Sequence, residues 1–194
     1  TDELSLRVSV ATLMRVIFEH PVNGKQMLAL ERKATLHETE NECIVEVKSQ
    51  PFGGAIRILD LDALHNLIGD FHFDSEHSRI EQDFRIFARP SSWSVLREFC
   101  IQHLSRVDDP ILETDPSREL DEEFNDALKI NLQPGQYISI PVATFVEDKA
   151  APTENIHAKK IPTVRVYRIV ETRITDSALA QLVMRNSEAH SNQT

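Results

Sequence analysis

The chain has 194 residues, 41% of them hydrophobic and 27% charged, with a formal net charge of −10 at pH 7. That length holds one well-buried core and would cramp two, and the composition is that of an ordinary globular protein with a polar tail from residue 186 onward. The acidity argues against nucleic acid as a general partner, because phosphate binding needs a basic surface. No apolar run approaches the roughly 18 residues needed to cross a bilayer, so no membrane partner is expected. The first residues lack the basic-then-apolar layout of a secretion signal. Cys43 and Cys100 lie far apart in apolar neighbourhoods and read as buried free thiols, which fits a reducing cytoplasm.

The first fifty residues predict strands. Residues 5–10 alternate in polarity, and 13–18 continue with β-branched and aromatic side chains. Asn23-Gly24 marks a hairpin turn. A second strand is expected over 26–33, a polar loop over 36–41 and a third strand over 42–47, ending in the reversal Gln50-Pro51-Phe52-Gly53-Gly54.

The middle of the chain predicts helices. Asp60 is placed to cap 61–68, whose Leu61, Leu64, Leu67 and Ile68 share a face. Residues 78–88 carry Ile80, Phe84 and Phe87 at spacings of four and three, a second helical stripe. Pro90 stops that segment, and Ser91 or Ser92 can cap a helix through Leu104 with Val95, Leu96, Phe99 and Cys100 in one row. Trp93, at the start of this helix, reads as core. Asp115 and Pro116 then open a short acidic helix as cap and first residue. A strand over 137–145, a long polar loop over 147–162, a strand over 163–172 and a helix over 177–185 capped by Asp176 complete the order. The fold class expected is α+β, in a single domain spanning 1–194.

The acidic helix holds the chemistry. Glu119, Glu122 and Glu123 stand at i, i+3 and i+4 and therefore share one helix face. Like charges this close repel, and a hard cation such as Mg²⁺ or Mn²⁺, which seeks oxygen ligands, would reverse the repulsion. A plain solvated face, comfortable near the positive end of the helix dipole, is the alternative.

The run Arg118, Glu119, Leu120, any residue, Glu122, Glu123 resembles the second half of the Nudix box, the signature of the Nudix hydrolases. Pro51-Phe52-Gly53-Gly54-Ala55-Ile56, reached after three strands, is similar to the Gly-Gly turn with which such boxes begin. Gly54 lies 64 positions before Arg118, far more than the family's spacing, so residues 57–107 read as a mostly helical insertion that splits the box. The box's upstream Glu falls at Pro110, and Asn125 stands where its closing Gly would be. The resemblance implies a mixed sheet sandwiched by helices, and it implies Glu119, Glu122 and Glu123 as ligands of Mg²⁺ or Mn²⁺, with Arg118 orienting them. Arg118, Glu119 and Glu123 would be the catalytic set. It also implies a nucleotide-like small-molecule substrate and an additional base from a later strand or loop, for which Glu147, Glu154 and Glu171 are candidates. Lys159, Lys160 and Arg165 are available to meet phosphate charge. The insertion would serve as a dimerisation element, giving a homodimer, or as a substrate-selecting cap.

Nothing else in the sequence competes. His65, His72, His77 and His157 match no zinc spacing and read as surface or packed histidines. No Gly-x-Ser-x-Gly and no phosphate-cradling glycine loop is present. The expected activity is Mg²⁺- or Mn²⁺-dependent hydrolysis of a nucleoside diphosphate linked to another moiety. The alternative is a catalytically degenerate Nudix-like module for nucleotide binding, interaction or regulation.

Overall fold

Alternating polarity from residue 6 onward builds one long strand, β1 (Leu6–Glu19), in a computed structural model whose described residues are 3–38, 43–153 and 160–191. Side chains are described there except at 35–38, 43–44 and 189–191. At its end Asn23-Gly24 makes the expected turn, with Gly24 at φ +67° and the imidazole Nδ1 of His20 accepting from the Val22 and Asn23 amides. The chain returns as β2 (Gln26–Ala29), antiparallel to β1 with Val16 opposite Ala29. The single strand expected over 26–33 breaks at Leu30, where the backbone changes partner. β3 (Glu31–Glu38) pairs with β4 (Cys43–Gln50), placing Glu31 opposite Gln50. β5 (Phe52–Ala55) follows.

Asp60 caps α1 (Leu61–Ile68), accepting from the Ala63 amide at 3.0 Å; Leu64 and Ile68 are buried while Leu67 is exposed. β6 (His72–Phe73) and α2 (Glu76–Glu81) come next. Here the structure corrects the helix expected over 78–88. Gln82 adopts a left-handed conformation at φ 57°, α2 ends, and β7 (Arg85–Ala88) begins. The spacing of Ile80, Phe84 and Phe87 was compatible with a helix, but Ile80 is exposed, whereas Phe84, Ile86 and Ala88 are buried at period two. β7 pairs antiparallel with β1, Val8 opposite Ile86, and the available strand partner decides the matter. In α3 (Trp93–Leu104) Leu96, Cys100 and Leu104 are buried, Val95 is exposed, and Ser92 makes no side-chain cap.

The remaining elements are α4 (Ser117–Leu128), β8 (Tyr137–Ala151), β9 (Thr163–Ile174) and α5 (Ser177–Ser191). β8 runs well into the stretch expected to be loop, of which residues 154–159 lie outside the described residues. Asp176 caps α5 as expected, accepting from the Leu179 amide at 2.7 Å, and the helix continues beyond residue 185. Lys129, at φ 57°, takes a left-handed conformation just past the end of α4. The class is α+β. Among the described residues seven strands form one sheet in the order β6-β7-β1-β9-β8, with β2 and β5 also on β1, and β3 and β4 form a second. Among the described residues no helix is long and apolar enough to cross a membrane.

The chain divides into two compact units. The first comprises residues 1–13, 54–116 and 141–169. Its core joins Val8 and Val10 of β1 to Leu64 of α1, Phe84, Leu96 and Cys100 of α3, and Val164 and Val166 of β9. Segment 57–107 thus supplies much of that core. Trp93 packs against it and donates from its indole to Asp148. The Cys100 thiol is fully buried, which pushes its pKa up to about 12; the side chain of Cys43 lies outside the described residues. Arg7 is buried against Asp74, donating through Nε at 3.0 Å and Nη2 at 2.7 Å to one carboxylate oxygen. His103 Nδ1 lies 2.7 Å from Asp109, whose other oxygen accepts from the Ile111 and Leu112 amides.

The second unit comprises residues 14–53, 117–140 and 170–194. Met14, Val16 and Phe18 of β1 pack with Phe52, with Leu120 and Phe124 of α4, and with Val170, Ile174 and Leu179. Leu120 and Phe124 are one helical turn apart, so they turn the same face inward and leave the glutamates of α4 on the others. The rings of Phe52 and Phe124 lie 5.2 Å apart. That contact fixes the rotation of α4 on which the site depends.

Candidate functional site

Because Leu120 and Phe124 point inward, the residues flanking them in sequence sit at the border between core and solvent. Glu119 and Glu123, one turn apart, both fall there: their side chains are 13% and 15% exposed. Glu122 falls further round, with 55% of its side chain exposed. Arg118 spans two of the three. Its Nη2 lies 2.7 Å from a Glu119 oxygen, and its Nη1 lies 3.1 Å from Glu122. The structure therefore brings Glu119 and Glu123 together at one border and turns Glu122 outward, on Arg118.

β3 contributes what the sequence reading missed. Glu31 and Lys33, two residues apart on a strand, face the same side, and that side meets Glu123. Glu31 shares a hydrogen bond with Glu123, and Gln50, its partner across the β3–β4 ladder, donates to Glu31 Oε2 at 3.2 Å. The Lys33 ammonium lies 3.3 Å from Glu31 and 3.9 Å from Glu123. The period-two pair Glu31 and Lys33 was visible in the sequence, but nothing local connects residue 31 to residue 123.

These neighbours push the Glu123 carboxyl up to about 7. Burial contributes most; the hydrogen bond with Glu31 and the charges of Glu31 and Glu119 add to it, and Lys33 opposes them without prevailing. Glu31, Glu119, Glu122 and Glu123 carry up to four negative charges against the two positive charges of Arg118 and Lys33. The local excess is negative, and it is held partly out of water.

Among the described residues no three His, Cys, Asp or Glu side chains are gathered as a ready metal cage. The donor chemistry nevertheless suits a hard cation: the oxygens of Glu119 and Glu123 are carboxylate oxygens, and their negative excess is what such a cation relieves. Glu122 does not join them, because it turns outward into solvent. Of the proposed bases, Glu147 pairs with Arg165 at 3.4 Å and Glu171 with Arg173 at 2.8 Å, while Glu154 lies outside the described residues. Lys159 and His157 also lie outside them, and Lys160 is exposed. His65 stacks on Phe71 with ring centres 4.4 Å apart, and His72 and His77 are exposed, as the reading of surface or packed histidines requires.

A groove of about 720 Å³ opens in the same unit and reaches Glu31. Its lining mixes apolar side chains, among them Met27, Phe124, Leu128 and Met184, with the charged Arg32 and Asp126. A cleft of about 770 Å³ elsewhere in the unit, lined by His20, Arg173 and Ser177, touches none of the four glutamates. Comparison with known proteins finds no matching family model, no matching curated protein and no matching solved structure.

Proposed function

We propose that this chain is a divergent Nudix-type pyrophosphohydrolase acting, with Mg²⁺ or Mn²⁺, on a nucleoside diphosphate linked to another moiety. The observation that carries the reading is the half-buried excess of negative charge at Glu31, Glu119 and Glu123, which leaves the Glu123 carboxyl raised to about 7 although Lys33 stands beside it. The motif run from Arg118 to Glu123 supports it further.

In this proposal Glu119 and Glu123 hold the cation. A divalent ion there would supply Lewis-acid polarisation of a phosphoryl oxygen and lower the pKa of bound water. Arg118 positions Glu119 through their 2.7 Å pair and keeps Glu122 near as a reserve carboxylate. Glu31 holds Glu123 in place through their shared hydrogen bond, and Gln50 in turn holds Glu31. A cytoplasmic setting belongs to the same reading, as does a Nudix-like arrangement of sheet and helices with residues 57–107 inserted.

The test is release of product from ADP-ribose and a panel of nucleoside diphosphate derivatives in Mg²⁺ or Mn²⁺. Glu123→Gln is expected to lower the rate about 100-fold or more while the protein keeps its far-UV circular dichroism. A second reading is favoured by the placement of Arg118 and Lys33, which already satisfy part of the acidic face. On that reading the domain is a catalytically degenerate nucleotide-binding or regulatory module. No turnover across the panel, together with a ligand-dependent rise in melting temperature, would establish it over hydrolysis.

A further inference from the structure

We infer that the cleft between the end of β1 and the start of α5 binds a small zwitterion of the amino-acid or dipeptide kind, its ammonium on Glu19 and its carboxylate on Arg173. This site is separate from the acidic face and independent of the proposed reaction. The cleft, at about 770 Å³, falls in the range of small-molecule sites and has room for a dipeptide. The end of β1, the turn after it, the end of β9 and the first turn of α5 all contribute to its walls. Ile17, Phe18, Ile174 and Ala180 are buried and give it an apolar floor.

The charged groups around that floor are of both signs, and each keeps bonding capacity. The Glu19 carboxylate lines the cleft and has no ion-pair or hydrogen-bond partner among the described residues. A Cβ at Gly24 would stand 3.5 Å from Glu19 Oε1, so the bare glycine leaves that oxygen open. Arg15 of β1 pairs with Glu171 of β9 at 3.9 Å, and two residues further along each strand Ile17 and Arg173 both line the cleft. Arg173 directs Nε and Nη2 to Glu171, at 2.9 and 2.8 Å, which leaves Nη1 without a partner among the described residues. His20 accepts the Val22 and Asn23 amides at Nδ1, so its neutral ring carries the proton on Nε2, a second donor for a carboxylate. Asp176 uses Oδ1 on the Leu179 amide and keeps Oδ2. A simple anion would meet two carboxylates here, and a simple cation would meet the guanidinium. A molecule with one ammonium and one carboxylate on an apolar body satisfies both signs and the floor, through charge-assisted hydrogen bonds at each end.

The probe is the dipeptide Leu-Leu, titrated calorimetrically into the full chain at neutral pH in EDTA, with leucine in a parallel titration. N-acetyl-Leu-Leu, which lacks the ammonium, and Leu-Leu amide, which lacks the carboxylate, are each expected to bind about tenfold more weakly than Leu-Leu. Glu19→Gln is expected to weaken Leu-Leu about tenfold and to leave N-acetyl-Leu-Leu where it was. Arg173→Gln should do the same, with Leu-Leu amide as the insensitive ligand. Ser177→Trp, at an exposed position that opens α5, narrows the cleft and is expected to abolish binding while far-UV circular dichroism is unchanged. Glu19 and Arg173 are exposed, so their variants test the site whether or not the tryptophan is tolerated. Tighter binding of leucine assigns the site to a free amino acid and tighter binding of Leu-Leu assigns it to a peptide; either supports the inference. No binding of leucine or Leu-Leu overturns it. So do equal affinities for Leu-Leu and its two blocked forms, or an affinity unchanged in a folded Ser177→Trp.

Discussion

Arg7 and Asp74 in the first unit and Glu31 and Glu123 in the second are all largely withdrawn from water, yet the two units treat them differently. In the first, burial alone would push Asp74 up. The hydrogen bonds from Ser78 and Arg7 and the charge of Arg7 outweigh it and hold the carboxyl below its ordinary 3.8. Asp109 follows the same pattern: burial raises it, and the Leu112 amide, His103 and the Ile111 amide more than offset that. In the second unit burial and like charge act in the same direction on Glu123, and the nearby ammonium does not cancel them. A fold gains nothing in stability from such an arrangement. The contrast separates charges that serve the fold from charges retained despite it, and it marks the second unit as the place where function is sought.

The largest expected effect breaks the first half of that contrast. Arg7→Met leaves Asp74 buried without its cation, and a buried ion pair broken on one side costs about 3–5 kcal/mol. Thermal or urea unfolding reads this directly. Arg7→Met combined with Asp74→Leu should recover most of the loss, because neither charge is then left behind. A single variant within about 1 kcal/mol of wild type would mean that Ser75 and Ser78 alone compensate Asp74, and the pairing argument would fail.

Asp109→Asn should cost about 2 kcal/mol at pH 7, since the carboxylate accepts from two backbone amides, His103 and Arg106 at once. The acid dependence has a definite sign. A carboxyl held below 3.8 contributes stability that is present above that pH and is lost as the pH falls through its lowered value. Wild type should therefore lose stability on acidification below about pH 4 more steeply than the variant. Parallel curves for the two proteins would remove Asp109 from the account.

What the sequence made legible was local. The Asp60 and Asp176 caps rest on a side chain and an amide three residues on, and the acidic helix, which begins at Ser117 directly after Pro116, on a proline and a run of glutamates. The α+β class followed from strand-like and helix-like patterns in succession. Residues 78–88 were misread because Ile80, Phe84 and Phe87 satisfy a helix template while Phe84, Ile86 and Ala88 satisfy a strand template. Only the β1 edge opposite Leu6–Ser9 chooses between them. Within the site, Arg118, Glu119, Glu122 and Glu123 were named from a motif, but the division between inward Glu119 and Glu123 and outward Glu122 follows from the packing of Leu120 and Phe124. Glu31 and Lys33 needed the contact between β3 and α4, ninety-two residues apart in the chain for Glu31 and Glu123, which no local pattern encodes.

The smallest effect tests the second half of the contrast, and its sign is opposite to that of Asp109. A carboxyl raised from 4.5 to about 7 favours the folded state while it is protonated. That contribution is complete below pH 4.5 and is lost as the pH rises through about 7. Metal-free protein in EDTA should thus lose on the order of 1 kcal/mol between pH 5 and pH 8 from this group. Glu123→Gln keeps a neutral side chain of the same shape against Glu31 at every pH, so it should flatten that loss and be the more stable protein at pH 8. Mg²⁺ or Mn²⁺ should then raise the melting temperature of wild type at pH 8 and leave the variant where it was, since the cation and the proton relieve the same repulsion. A variant less stable than wild type at pH 8 without metal would mean that Lys33 neutralises Glu123 after all, and the second unit would handle its buried charge no differently from the first.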